Sequence, residues 1–171
     1  MKYLVASDIH GDLNSLKFLV KKFKDIKCDK IILLGDYLGF DKDDNDGIYG
    51  IFDLFKKDLI LIKGNCDFYL DDDSYGIELR DSFSFKLKDR YYLFAHGDYL
   101  TRYINLLLNI DNAYIIHGHT HRVSSYISGG ISFINIGSIS QPRGGSKCCY
   151  GILDENGFKI YDLEDKLILE K

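Results

Sequence analysis

Apolar positions recur with two different periods along this chain, and the change of period divides it. Residues 2 to 7, 30 to 34 and 58 to 63 are short runs rich in Ile, Leu and Val, each bounded by charge or glycine. That is the pattern of strands covered on both faces. Between the first two, "DLNSLKFLVKKF" sets Leu13, Leu16, Val20 and Phe23 at helical spacing with lysines opposite, so a βαβ unit opens the chain. A second helix is expected over residues 47–57. After residue 75 the pattern becomes one of hairpins. "SFSFKLKDRYYLFAHG" predicts two strands around Lys88 and Asp89, and "SSYISGGISFINIG" two more around Gly129 and Gly130. "YGILDENGFKIYDL" predicts a third pair with Asn156 and Gly157 as the turn, and residues 98–108 suggest a further helix. Parallel strands followed by hairpins fit two packed mixed sheets with helices outside. With 171 residues, no linker or repeat and one proline, Pro142, a single domain spanning 1–171 is expected.

The polar residues that end the apolar runs carry the chemistry. All five histidines lie in "SDIHG", "FAHGD" and "IIHGHTH", each directly after an apolar run, and two further runs deliver Asp36 ("KIILLGD") and Asn65 ("LILIKGN"). Ligands handed over at the carboxyl ends of strands are where α/β folds build sites. Asp8 and His10 lie two apart, as do His119 and His121, so a strand end or short extended loop would point both members of each pair the same way. Carboxylate, imidazole and amide oxygen without thiolate suit Mn, Fe, Ni, Co or Zn better than Ca, and are too rich in nitrogen for Mg alone. Seven such ligands are too many for one ion and suit two ions sharing a carboxylate.

These motifs, in this order, resemble the calcineurin-like metallophosphoesterases, in particular their small, cap-less bacterial and archaeal phosphodiesterases. The pattern D-x-H, G-D, G-N, H-G, G-H-x-H is met by Asp8 and His10, Gly35 and Asp36, Gly64 and Asn65, His96 and Gly97, then Gly118, His119 and His121. Each motif alone is common; five in order, each after a strand, are specific. The resemblance implies a four-layer α/β/β/α sandwich. It also implies one ion held by Asp8, His10, Asp36 and His121 and another by Asp36, Asn65, His96 and His119, with a hydroxide between them as the nucleophile. Asp36, Asn65 and His96 are then the residues expected to carry catalysis, and manganese is the first candidate among the divalent ions. His117, Asp67 and Cys66 are expected to support ligands rather than bind metal. Arg143, in "NIGSISQPR", is expected either to fork onto the phosphate beside Asn65 or to form a structural salt bridge.

Two departures narrow the chemistry. Many relatives carry a histidine after G-N and an aspartate three residues beyond G-D, which together protonate the leaving group. Here those positions are Cys66 and Gly39, and a neutral thiol is a poor general acid. Asp98 stands where relatives often have a second histidine. Without a positioned acid, small or activated phosphodiesters are the expected substrates. A phosphomonoesterase or nucleotide pyrophosphatase is the alternative enzyme, and a scaffold resembling the retromer subunit of the same fold is the alternative class.

Charge and composition set the remaining bounds. The net charge is -4, with acidic stretches at Asp41 to Gly47 and Asp71 to Asp73 that follow ligand-bearing strands. Acidic rims repel long polyanions, which argues against duplex nucleic acid. Counted as a calcium loop from Asp41, the first stretch has Asp46 at position six and Phe52 at position twelve, where glycine and glutamate are needed. No apolar run approaches the length of a membrane span. Four cysteines without C-x-x-C spacing and a histidine motif within the first ten residues lead us to expect reduced thiols, no cleaved leader and a cytoplasmic protein. The 13 tyrosines and 11 phenylalanines would permit a homodimer. Residues 66–95 leave no room for a lid domain between Asn65 and His96, so an open site is expected.

Overall fold

A computed structural model of the chain describes residues 1–39, 45–67 and 78–171. Among these the elements run β1 (Tyr3–Ala6), α1 (Leu13–Asp25), β2 (Lys30–Leu33), α2 (Asp46–Phe55), β3 (Leu59–Ile62), β4 (Leu79–Arg80), β5 (Ser82–Leu87) and β6 (Arg90–Ala95). They continue with α3 (Thr101–Leu107), β7 (Ala113–His117), β8 (Val123–Ser128), β9 (Ile131–Ile136), β10 (Cys149–Asp154), β11 (Gly157–Asp162) and β12 (Leu167–Glu170). One sheet has the order β12-β11-β10-β1-β2-β3-β4 and the other β5-β6-β7-β9-β8.

Three apolar clusters make the layers. Val5, Ile32 and Ile62 of the seven-stranded sheet meet Tyr92, Phe94, Ile116 and Ile134 of the five-stranded one, so the two sheets share a core. Leu16 and Leu19 of α1 and Ile48 and Phe52 of α2 cover the outer face at Leu4, Ile31 and Leu33. Tyr103 and Leu107 of α3 cover the other outer face at Leu93, Ile115 and Phe133. The result is the α/β/β/α sandwich, and each run of four buried residues in β1 reflects a strand covered on both sides. The first helix starts where Asp12 accepts the N–H groups of Asn14 and Ser15, and it ends with Lys22 and Lys24 against the negative end of its dipole.

The predicted strands and helices fall within a few residues of those observed, with three differences. First, the second half is not purely hairpins: β6, β7 and β9 pair in parallel, with α3 as the crossover between β6 and β7. A short helix can bridge parallel neighbours because its apolar face lands on the sheet it leaves. Second, the β10–β11 turn is Glu155–Asn156, since Asp154 pairs with Gly157. The Asp154 carboxylate accepts the Asn156 N–H and sets the turn one residue early. Third, the edge strands β4 and β12 carry no period long enough to be read from sequence. The expected acidic rim at 41–44 and 71–73 lies outside the described residues. Among the described residues, no helix is long and apolar enough to cross a membrane.

Phe158 of β11 is fully buried, and its ring occupies the space a side chain on Gly151 of β10 would need. Phe158→Ala should therefore cost about 3–5 kcal/mol, read as a lower urea midpoint at unchanged slope.

Candidate metal centre

The parallel strands of both sheets end at one rim of the sandwich, and the loops that follow β1, β2, β3, β6 and β7 converge there. His10 N–H donates to the Asp36 carbonyl at 2.9 Å and Asp8 N–H to the Gly35 carbonyl at 3.1 Å, lacing the first two loops together. Gly118 N–H donates to the His96 carbonyl at 2.8 Å, lacing the last two. His119 N–H donates to Asp8 Oδ2 at 3.0 Å and crosses between these pairs, and Cys66 N–H donates to Asp36 Oδ1 at 2.8 Å and ties in the loop after β3.

All seven candidate ligands meet at this rim. Ligand atoms of Asp8, His10 and His121 lie within 4.8 Å of one another, as do those of Asp8, Asp36 and His96. Asn65 Oδ1 is 3.0 Å and His119 Nδ1 is 3.2 Å from His96 Nε2, and Asp36 Oδ2 is 3.4 Å from the same atom. Asp36 Oδ2 is also 3.7 Å from His10 Nε2, which puts Asp36 between the two groups.

The backbone route to this arrangement differs from the extended loop expected. Asp8, His10, Asp36, His119 and His121 all have left-handed φ, between 48° and 70°. For side chains other than glycine this costs about 1–2 kcal/mol each. Such residues persist only where surrounding contacts over-determine them, and they gather at functional sites. Glycines supply the close approaches: a Cβ on Gly64 would strike Asp36 Oδ1, and one on Gly118 would strike Ser7 Oγ and Asp8 Oδ2.

The hydrogen-bond pattern tests whether a cation fits. His121 Nδ1 is 2.6 Å from the Gln141 carbonyl and His96 Nδ1 is 2.7 Å from the Leu34 carbonyl. A carbonyl only accepts, so both rings donate through Nδ1 and turn Nε2 to the centre. His121 Nε2 then faces Asp8 Oδ1 at 3.3 Å, acceptor against acceptor, and takes its one available proton from His10 Nε2 at 3.2 Å. Asp8 Oδ1 is buried and receives no hydrogen bond. Acceptors set against acceptors in a buried site repel unless a cation lies among them, and a nitrogen and oxygen donor set suits a transition metal.

The ionisations are consistent with a cation-seeking site. Burial works to lower the His96 pKa, but the Asp36 carboxylate more than reverses this and lifts it to about 9, so at neutral pH His96 Nε2 carries a proton toward Asp36 that a bound cation would displace. Burial likewise pushes Asp36 up, yet His96 and the Cys66 N–H outweigh it and hold Asp36 at about 2. Burial lowers His10.

Asp67, His117 and Cys66 lie around the ligands. Burial lifts Asp67 to about 6 against the pull of its N–H donors. Its carboxylate accepts from the N–H groups of Asp36 at 2.7 Å, Tyr37 at 2.9 Å and Gly64 at 2.8 Å, tying the loop after β2 to the loop after β3. His117 is buried, which lowers it to about 4, and its Nδ1 lies 3.2 Å from the Gly118 carbonyl. Cys66 Sγ lies near His10 and Asp36, but burial and Asp36 push its thiol up to about 11, so it is neutral at physiological pH. Arg143 is exposed, and its backbone N–H donates to the His121 carbonyl at 2.9 Å. No salt bridge to it forms among the described residues.

Sequence reasoning missed the polar supports from the loop after β9. Ser138 and Ser140 hydroxyls donate to the Asp8 carbonyl at 2.8 and 2.9 Å, and Gln141 orients His121. Asn135 donates to the Gly118 carbonyl at 2.7 Å and to Thr120 Oγ1 at 2.9 Å, fixing the histidine loop. The available signal was an Asn inside an otherwise apolar strand, which is costly unless its amide is fully used.

Comparison with known proteins identifies the family and the fold. Residues 1–157 match the family model of the calcineurin-like phosphoesterase superfamily domain. The chain belongs to that superfamily. It is 27% identical to the phosphodiesterase YfcE of Escherichia coli over 99% of this chain and 96% of that one. The solved structure of Escherichia coli YfcE superposes with a TM-score of 0.83 at 24% identity, covering 100% of this chain and 98% of that chain. A novel archaeal phosphodiesterase has a TM-score of 0.66 at 18% identity, over 98% of this chain and all of that one. Vps29 of Chaetomium thermophilum has a TM-score of 0.63 at 18% identity, over all of this chain and 96% of that one. These structural likenesses establish the fold.

Asp67→Asn would turn an amide N–H2 toward N–H donors that now meet a carboxylate. We expect a stability loss of about 1–3 kcal/mol when unfolding is followed in chelator, and a separate weakening of divalent-ion uptake by about 10- to 100-fold in a metal titration.

Proposed function

We propose that this protein is a metal-dependent phosphodiesterase that hydrolyses small phosphodiesters at two divalent ions. The observation that carries the reading is the convergence of seven side chains of metal-ligating type, two of them histidines whose Nδ1 is directed at a carbonyl so that Nε2 faces the others. Asp8, His10, Asp36 and His121 would hold one ion and Asp36, Asn65, His96 and His119 the other, Asp36 being shared; manganese is the first candidate, then Ni, Co, Fe or Zn. Bound there, such ions supply Lewis acidity, acidifying water and neutralising the phosphate oxygens. The family supports phosphoester chemistry, and the Escherichia coli and archaeal relatives named phosphodiesterases support the diester.

The chain's own residues do the rest. The Gln141 and Leu34 carbonyls keep two rings turned inward, and Asp67, Ser138 and Ser140 hold the strained loops that carry Asp36 and Asp8. Such rigid placement is worth several kcal/mol of barrier in the transfer itself, on the order of 7–11 in favourable cases. Asn65 and the exposed Arg143 would contact phosphate oxygens. Cys66 keeps its proton, with a pKa of about 11, and Gly39 offers no functional group. The site therefore favours diesters whose leaving group is already a weak base. The net charge of -4 suits a small diester rather than a duplex, and four free cysteines suit a cytoplasmic setting.

The likeness to Vps29 motivates a second reading, a scaffold with the same fold. Metal content and diester turnover separate the two. Dialysis against chelator should abolish hydrolysis of bis(p-nitrophenyl) phosphate, with recovery on adding manganese; a metal-free protein that is equally active would overturn the proposal. Asp36→Asn should lose more bound metal and activity than Asn65→Ala, by at least about tenfold, in paired metal analysis and rate measurements. Cys66→Ala should stay within about tenfold of the parent, roughly 1.4 kcal/mol, and a thousandfold drop with metal retained would make the thiol a participant.

A further inference from the structure

A cavity of about 360 Å³ opens beside the metal centre, lined by Lys63, Gly64, Asn65, Asp81, Asp98, Tyr99, Arg102 and Tyr103. It has the size of a small-molecule pocket, and it shares Asn65 with the site. Its walls come from the loops after β3 and β6, from Asp81 between β4 and β5 and from α3, so whatever is bound at Asn65 has one side of itself facing this space. Tyr99 is 65% exposed, so a face of its ring is open to a ligand in this space. The Arg102 guanidinium lies 5.8 Å from the Tyr99 ring centre, so the ring is backed by a cation, and the same guanidinium lies 3.8 Å from Asp81 in a solvent-exposed pair. The edges of the cavity carry both signs: Lys63 and Arg102 against Asp81 and Asp98.

We propose that this cavity is a subsite for a nucleoside arm of the diester, with Tyr99 as the stacking platform for the base; this rests on the reading of the metal centre as a phosphoesterase site. An exposed tyrosine backed by arginine offers a flat π face, and base–aromatic stacking tolerates any base because all have one. Asp98 and Asp81 accept hydrogen bonds from sugar hydroxyls or exocyclic amines at the rim, which a purely basic groove would not do. An arm bound here lets Asn65 and the ions meet the phosphate while the base lies over Tyr99. The small size limits occupancy to about one nucleoside, consistent with an enzyme of small diesters.

The test uses full-length, manganese-loaded protein with adenosine 5′-monophosphate and ribose 5-phosphate, which share phosphate and sugar and differ in the base. Binding is measured by calorimetry, and inhibition of bis(p-nitrophenyl) phosphate hydrolysis by both compounds is measured alongside. The parent should bind the nucleotide about tenfold more tightly than the sugar phosphate. Tyr99→Ala should remove that preference and Tyr99→Phe should keep it. Equal affinity for the two compounds in the parent, or a preference that survives Tyr99→Ala, overturns the subsite. If the preference is present and depends on Tyr99 while the parent hydrolyses no diester, the subsite stands and the phosphoesterase reading falls.

Discussion

Two carboxylates placed at the buried rim of a sandwich set the terms for the rest of this protein. Asp8 is fully buried and Asp36 nearly so, and Asp8 Oδ1 receives no hydrogen bond at all. An ionised carboxylate in such a place costs several kcal/mol unless opposite charge compensates it. Protein groups supply part of this at Asp36, through His96 and the Cys66 N–H, and none of it at Asp8 Oδ1. His121 Nε2 lies 3.3 Å from Asp8 Oδ1, at the far side of a ring that donates through Nδ1. A divalent cation would satisfy both atoms at once, and the same logic extends through Asp36 to His96, His119 and Asn65.

Holding ligands in this way works against local backbone preference. Five of the seven sit in left-handed conformations, so the loops cannot be set by their own sequences and must be clamped from outside. The clamps are distributed across the chain. Asp67 takes three backbone N–H groups from two loops, Ser138 and Ser140 reach Asp8 from beyond β9, and Asn135 grips the loop between His117 and His121. The shared core between the sheets matters here because it fixes where those loops begin. A shift of one sheet against the other would separate Asp8 and Asp36 from His96 and His119, which arise from opposite layers.

The sequence exposed the strands, the order of the ligands and their common rim, because buried strands write continuous apolar runs and each ligand directly follows one. It did not expose the backbone state of Asp8, His10 or Asp36, since left-handed φ is imposed there by contacts such as His10 N–H to the Asp36 carbonyl. The same limit hid β7 as a parallel neighbour of β9: strands of "AYIIH" and "ISFINI" look alike whichever way they pair. The turn before Gly157 was misplaced by one residue because Asn-Gly is a strong local signal that the Asp154 carboxylate overrides. The supports at Ser138, Ser140 and Gln141 were invisible as supports, being ordinary loop residues until the chain brings them back to Asp8 and His121.

The account stands on Asp36 being shared between two cations. Anomalous diffraction at the manganese edge, from crystals grown with manganese, addresses this directly. The account predicts two strong peaks per chain, one ringed by Asp8, His10 and His121 and the other by Asn65, His96 and His119, with the Asp36 carboxylate contacting both. A single peak, or two peaks of which only one touches Asp36, would contradict it.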